Sequence, residues 1–309
     1  MSRPARGQFS GYAGIHTNLG QVDNRGIEIS INSLNMNLPN FMWNTDFTFA
    51  YNNNKIRHLL GDKDENGKEL DVASNGWFIG HSINEIWDFK YEGVWSVEEA
   101  EEAAKYGQRP GDLKVWNNPE NDIVNEDGSI TYVYNDDDKV FLGQRNAPIR
   151  MTMRNTFRIF KNFEVGLSMY SLIGFKDCQG GIESGDIIAN NDNGGGYLLY
   201  AMKNQFAKDI WTPWHQTKDA GRIEAKGPYG ASNPRYYVNR SFLRFDNLSI
   251  AYHLPNSIKN AIRASELKVF FNINNLGTIH SSAWKNGYGD PENHSYTTRT
   301  YNLGFNVRF

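Results

Sequence analysis

Paired carboxylates are the raw material of acid–base catalysis, and Glu98, Glu99, Glu101 and Glu102 stand together directly after Ser96. Their spacing reads as a capping box instead. Ser96 can accept from the amide of Glu99, and the Glu99 carboxylate can reach back to Ser96, opening a helix that runs to Tyr106 and stops at Gly107. The other acids are then a solvated face that complements the first turn. Asn125, Asp127 and Gly128, with Asp136 to Asp138 beyond, place oxygen ligands at alternate positions around a glycine turn, as a calcium loop does. Ile123 stands where the first ligand belongs and Tyr134 where the bidentate acid belongs. Asn125, Asp127 and Asp137 are therefore a calcium candidate set weighed against an ordinary acidic loop.

The seven histidines include no pair within five residues, so no helical zinc motif forms, and no metal site is expected from them. Cys178 is the one cysteine and reads as a bystander thiol; no disulfide framework exists. Gly194-Gly195-Gly196 follows Asn190 to Asn193 without strand-to-helix context and reads as a loop tip, not a phosphate cradle. No cofactor is expected. Seven of the eight tryptophans, all but Trp43, fall outside the periodic segments. Their rings could stack on sugar faces, or could build cores for long loops from Trp77, Ile79, Ile86, Trp87, Phe89 and Trp95. Packing is the reading for most. Trp211, Trp214 and Trp284 are kept as the candidates for ligand contact.

The elements that position these residues show a period of two. Ile27, Ile29 and Ile31 alternate with Glu28, Ser30 and Asn32. Phe41, Trp43, Thr45, Phe47, Phe49 and Tyr51 alternate with Asn44, Asp46, Thr48 and Asn52. The same pattern recurs from Arg150 to Ile159, from Phe163 to Met169, from Ser241 to Leu254 with a parity change at Asp246 and Asn247, from Glu266 to Ile273, and from Tyr301 to Phe309. The parity change predicts a bulge. Seven strands are expected. Short connections (Leu38 to Asn40, Lys161 to Asn162, Pro255 to Ser265) alternate with long ones (Arg57 to Ile149, Gly174 to Arg240, Asn275 to Thr297).

Short turns on one side and long loops on the other are the asymmetry of outer-membrane barrels. A large soluble β-sandwich also alternates and stays open on pattern alone. Aromatics make up 14% of the chain and many sit near strand ends, as girdles at a membrane interface do. Mean hydropathy is -0.62 and no apolar run approaches about 18 residues, which excludes a spanning helix but not spanning strands. The chain is 39% apolar and 22% charged with a net charge of -3, and its pI of 6.2 gives no basic field for nucleic acid. Met1 to Gly7 precedes no apolar stretch, so no signal peptide is read there. Seven strands should not close, since bacterial barrels have even numbers and about eight is the minimum. The expectation is part of a longer barrel, with residues 1–24 as the tail of a preceding loop.

Several segments resemble one family, the SusC/RagA-type TonB-linked outer-membrane transporters, in that family's order. Asn24-Arg25-Gly26-Ile27-Glu28 is similar to its Asn-Lys-Gly-Val-Glu strand start, and Trp43 to Phe47 with Tyr51 to Ile56 to its next strand. Tyr91 to Trp95, Lys105 to Leu113 and Asp137 to Gly143 resemble its loop signature. Ser241 to Leu248, the exit at Tyr252 to Pro255, Asn274-Asn275-Leu276 and Arg299 to Phe309 complete the set.

The resemblance implies an all-β fold: an antiparallel transmembrane β-barrel fragment, about seven strands of a barrel of about 22, with long extracellular loops and one short loop helix. Residues 1–309 would be the C-terminal portion of the barrel, with the plug domain and N-terminal strands absent. It further implies a carrier, not an enzyme, in the bacterial outer membrane. Its partners would be a SusD-like surface lipoprotein, TonB through the missing plug, barrel assembly machinery, outer-membrane lipid and a glycan or peptide substrate. Trp211, Trp214 and Trp284 would face that substrate or the lipoprotein lid. Glu28, Asn44, Asp46, Arg154, Arg158, Asn302 and Arg308 would line the lumen or meet the plug, and Tyr301, Leu303, Phe305, Val307 and Phe309 would form the assembly signal. Two competing readings are a secreted carbohydrate-binding β-sandwich, using the loop tryptophans, and a glycoside hydrolase. The latter needs two carboxylates about 5 to 9.5 Å apart, and no local pair suggests itself.

Overall fold

The computed structural model describes residues 2–4, 14–16, 20–59, 61–178, 210–218, 221, 222, 225, 227, 228, 236–284, 289–293, 295 and 297–309. The side chain of Cys178 and the loop tip at Gly194 to Gly196 lie outside the described residues. Seven strands form one sheet: β1 (Gly20–Leu38), β2 (Phe41–Leu59), β3 (Ile149–Ile159), β4 (Phe163–Ile173), β5 (Phe242–His253), β6 (Glu266–His280) and β7 (Thr300–Arg308). Each pairs antiparallel with its neighbours in chain order, an up-and-down meander. The sorting of connections holds. Pro39 and Asn40 join β1 to β2, and Phe160 to Asn162 join β3 to β4, with Phe160 and Lys161 at φ values of 49° and 60°.

Three details differ from expectation. β1 and β2 run to 19 residues each, well beyond the alternating cores that mark them in the sequence. The third short connection holds a second helix, α2 (Asn256–Ala261), where a plain turn was expected; Pro255 fixes its entry. β6 does not end before Asn275 but continues to His280. Phe245 pairs with Gly277 and Asn247 with Asn274, so Asn275 and Leu276 oppose Asp246 alone, and Asn275 adopts a φ of 56°. The expected bulge at Asp246 is present, and the Asn-Asn-Leu that reads as a strand end is its other half.

Bulges also keep the faces pure. Leu34 opposes Asn44 and Met36 opposes Trp43, which leaves Asn35 as an extra residue. That shift returns Met36 and Leu38 to the face of Ile27, Ile29 and Ile31. The resulting apolar face is bare: Ile27 is 61% exposed, Leu303 77% and Phe305 73%, and among the described residues no second layer covers it. A β-sandwich buries this face against another sheet, so the sandwich reading is not what the chain builds. Near the short turns the aromatics cluster, with Trp43 stacked on Phe157 at 5.8 Å and Phe163 beside Tyr252 at 4.6 Å.

On the polar face Phe270 lies over Gly304, opposite in register, where an added Cβ would meet its Cζ at 2.5 Å. Gly304→Val should therefore destabilise the assembled wall by about 1–3 kcal/mol, read as an earlier midpoint in denaturant unfolding. An unchanged midpoint would show that the Phe270 ring moves aside freely.

Candidate functional site

The polar residues expected to line a lumen share one face. Glu28 and Arg150 both oppose Ala50, Asp46 opposes Arg154, Asn302 opposes Asn272, and Arg158 lies 3.8 Å from Glu164 on β4. Asn44 and Arg308 sit on the same parity. At the outer end of β1 and β2 this face opens into a cleft of about 760 Å³, lined chiefly by Asn24, Glu28, Asn52, Asn54, Gln144, Asn146 and Arg150. Asn54 accepts from the Ser82 hydroxyl at 3.0 Å and the Ile83 amide at 2.9 Å, which staples the first long loop to the wall. The cleft is lined by amides, one carboxylate and two arginines, Arg25 at its rim and Arg150, a surface for binding polar ligands by hydrogen bonds. Density of Asn from Asn52 to Asn54 is the sequence signal that could have found it.

That loop, 60–148, builds its own core. Residues Glu85–Phe89 pair with Lys139–Gln144, and Tyr91–Val94 with Leu113–Val115. Ile86, Phe89 and Trp95 are buried as expected, whereas Trp77, Ile79 and Trp87 are half-buried; Leu113, Val115 and Tyr134 complete the core. Burial pushes the Tyr134 phenol pKa up. Trp95 donates Nε1 to Gln108, whose amide in turn donates to the Leu113 carbonyl.

Helix α1 (Ala100–Lys105) begins later than the capping box predicts. The Glu99 carboxylate does accept the Ser96 amide at 3.0 Å, but it also accepts Lys114 at 2.8 Å, and the Val97 amide is taken by Gln216. The Lys114 ammonium holds the Glu99 carboxyl below the usual range. The stop at Gly107 is as expected: φ is 67°, with Gly107 donating to Ala104 and Gln108 to Ala103.

The calcium candidates spend their side chains locally. Asn125 donates to the Ser129 and Thr131 hydroxyls, and Asp127 accepts from the Ser129 amide and hydroxyl, all within the hairpin 123–131. Asp137 sits apart in a 3-10 turn capped by Asn135, and the buried member of that turn is Asp138, which accepts the Asn118 and Asn135 amides. Among the described residues no cluster of three His, Cys, Asp or Glu side chains could hold a metal ion.

The three candidate tryptophans separate. Trp211 is buried with Val94, Leu113 and Ala225. Trp284 is 1% exposed, donates Nε1 to the Gly289 carbonyl and packs on Val238. Trp214 is 91% exposed. It stands at the tip of a tight turn closed by paired bonds between Thr212 and His215, with Trp211 anchoring one side and Gln216 the other.

Trp284 belongs to a clasp that sequence reading missed. Arg240 lies between the Phe175 and Trp284 rings, 5.2 Å from each, and donates to the Pro291 and Glu292 carbonyls and to Asp177. Arg244, on the polar face of β5, lies against the Tyr170 and Phe242 rings and pairs with Asp290 and, at 3.0 Å, Glu292. Tyr170 donates to Glu292 at 2.6 Å. Two stacked guanidiniums thus fasten residues 290–292 of the last loop onto the wall. Arg244 sits inside a strand motif and Arg240 just before it, and neither position carried a hint of loop partners more than 40 residues away.

Truncation should follow burial. Trp211→Ala and Trp284→Ala should each lose about 3–5 kcal/mol in thermal or denaturant unfolding, and Trp214→Ala less than about 0.5 kcal/mol. Asp290→Ala, which strands a buried guanidinium, should cost about 3–5 kcal/mol and expose residues 281–299 to protease; continued protection would mean that the clasp does not hold the loop.

No protein-family model matches the chain. It is 23% identical to a TonB-dependent receptor of Formosa agariphila over 98% of its own length and 30% of that protein's. A second receptor of that organism is 28% identical over 94% of this chain and 30% of its own length. The TonB-dependent receptor SusC of Bacteroides thetaiotaomicron is 22% identical over 77% of this chain and 21% of its own. Among solved structures, the RagAB peptide transporter superposes at a TM-score of 0.64 with 19% identity, covering 98% of this chain and 31% of the other. The RagAB peptide importer in its open-open state gives 0.65 with 18% identity over 100% of this chain and 31% of that one. The wall therefore has the fold of part of a TonB-dependent transporter barrel. Over nearly its whole length the chain is similar to about three-tenths of the two Formosa TonB-dependent receptors, and over 77% of it to SusC, so it resembles part of a SusC-type receptor.

Proposed function

We propose that this chain is the C-terminal portion of the barrel of an outer-membrane importer, completed by further barrel strands and a plug domain. In this reading the apolar face lies in hydrocarbon and the polar face lines the path. The importer works with a SusD-like lipoprotein as lid and is energised by TonB through the plug. It carries and does not catalyse. The observation that carries the reading is the bare apolar face on a meander whose loops are sorted by side, because only lipid or further barrel makes such a surface stable. The relatives are receptors, and the RagAB structures are described as a peptide transporter and importer.

The substrate in this reading is an oligosaccharide or a peptide, met first by the outer loops. Trp214 offers an exposed ring to the substrate or the lid, while Trp211 and Trp284 hold the loops that present it. The amide-lined cleft at Glu28, Asn52 and Arg150 is the first hydrogen-bonding surface below. Tyr301, Leu303, Phe305, Val307 and Phe309 serve both as lipid-facing wall and as the signal read by barrel assembly machinery. Their parity is continuous across β7.

The full-length protein should fractionate with the outer membrane and require detergent for extraction. Ile29→Lys, a charge on the lipid-facing side, should cost up to about 2–4 kcal/mol and lower the assembled fraction, whereas Ser30→Lys on the polar face should not. A folded, soluble monomer without detergent would sink the importer reading. With assembly intact, Trp214→Ala should weaken lid or substrate capture; equal capture would remove Trp214 from the site.

A further inference from the structure

The outward face of β1 and β2 changes character above its apolar band. Phe41 to Tyr51 spans ten residue steps, about 33 Å of strand and about 23 Å of height at a tilt of about 45°, close to the band of about 25 Å that lipid-facing walls carry. Immediately beyond Tyr51 the same parity continues as Asn53 and Lys55 on β2, and beyond Ile27 it continues as Arg25 and Asp23 on β1. Arg25 pairs in register with Asn53, and Asp23 with Lys55. Arg57, the extra residue of the bulge opposite Gln21 and Val22, turns to this side and donates Nε to Asp23 at 2.7 Å.

The patch thus holds three cations against one carboxylate. Asp23 is engaged by Arg57 and lies 4.0 Å from Arg25, and Lys55 has no carboxylate partner among the described residues. The side chains of Arg25 and Arg57 are 80% and 46% exposed. Lys55 stands about 9–10 Å above Tyr51 at the same tilt, the level of lipid headgroups. Arg25 and Lys55 share the parity of Ile27 and Tyr51, opposite to that of Glu28 and Asn54, and Arg25 also borders the rim of the cleft. Exposed cations on the lipid side at headgroup height match an anion held in that plane.

Resting on the membrane reading proposed above, we infer that Arg25, Lys55 and Arg57 form a binding site on the outer barrel wall for the phosphate groups of anionic outer-leaflet lipid. A guanidinium at Arg25 gives a bidentate donor for phosphate, and Lys55 supplies a second, mobile charge. Asp23 orients Arg57 without cancelling the excess. The site would fix the β1–β2 hairpin relative to the bilayer surface, next to the cleft on the opposite face.

The test uses the full-length transporter in nanodiscs of phosphatidylcholine with increasing fractions of lipid A, reading the thermal midpoint. The wild-type midpoint should rise with lipid A, and the rise should shrink with added salt. The triple variant Arg25→Gln, Lys55→Gln, Arg57→Gln should keep the phosphatidylcholine midpoint and need on the order of a hundredfold more lipid A for the same rise. Arg25→Lys with Arg57→Lys should retain most of it. If the triple variant does not assemble, Lys55→Gln alone should show a shift of about fivefold. An equal rise in wild type and variants, a rise indifferent to salt, or no rise overturns the site while leaving the importer reading intact. Inorganic phosphate producing the same rise without lipid A overturns the headgroup assignment in favour of a soluble anion. Failure of the protein to enter nanodiscs at all overturns the membrane reading and this site together.

Discussion

Every buried or lipid-facing backbone group needs a hydrogen-bond partner, and a meander satisfies this by pairing each strand with its neighbours in the chain. The register from β1 to β7 is continuous, interrupted at bulges, of which those at Asn35 and Asp246 restore face parity. Those interruptions matter as much as the pairing. Without Asn35 the end of β1 would turn Met36 and Leu38 to the polar side, and without the extra Asp246 the outer part of β5 would turn Leu243 and Phe245 the same way. Purity of the two faces, rather than any compact core, is the condition on which the rest of the molecule depends.

Given such a wall, the stability that a globular protein draws from one interior has to come from elsewhere. Here it is divided between the wall and small loop cores. The first loop buries Ile86, Phe89, Trp95, Leu113, Val115 and Tyr134, and the Asn54 staple joins it to β2. The last loop has too few apolar residues for this and uses Arg240 and Arg244 instead. Each guanidinium is stacked on rings and hydrogen-bonded, which offsets the cost of removing it from water. The loops are thereby held as fixed shapes over the polar face, the condition for a preformed binding surface.

The same division explains which expectations about chemistry changed. Residue types that suggest sites in isolation are consumed by local structure: Asn125 and Asp127 by a hairpin turn, Asp138 by two amides, Glu99 by Lys114, Trp211 and Trp284 by packing. Among the described residues, Trp214 and the amide cleft stay open to a ligand, with the cationic patch above Tyr51 on the outer side. None of these three depends on a catalytic constellation.

Wall strands were legible from the chain alone because a period of two is a local property: Phe41 to Tyr51 or Tyr301 to Phe309 alternate whatever surrounds them. Loop sorting and the family likeness followed from the same order of residues. Strand ends were not legible at Asn275, because a bulge needs the partner strand to become visible. Nor could composition tell Trp214 from Trp211, three residues apart, since burial depends on contacts with Val94 and Leu113 about a hundred positions earlier. The arginine clasp, the cleft and the outward cluster of Arg25, Lys55 and Arg57 are likewise products of tertiary placement: each joins residues that share nothing in sequence except the side of the sheet, or the loop, to which folding delivers them.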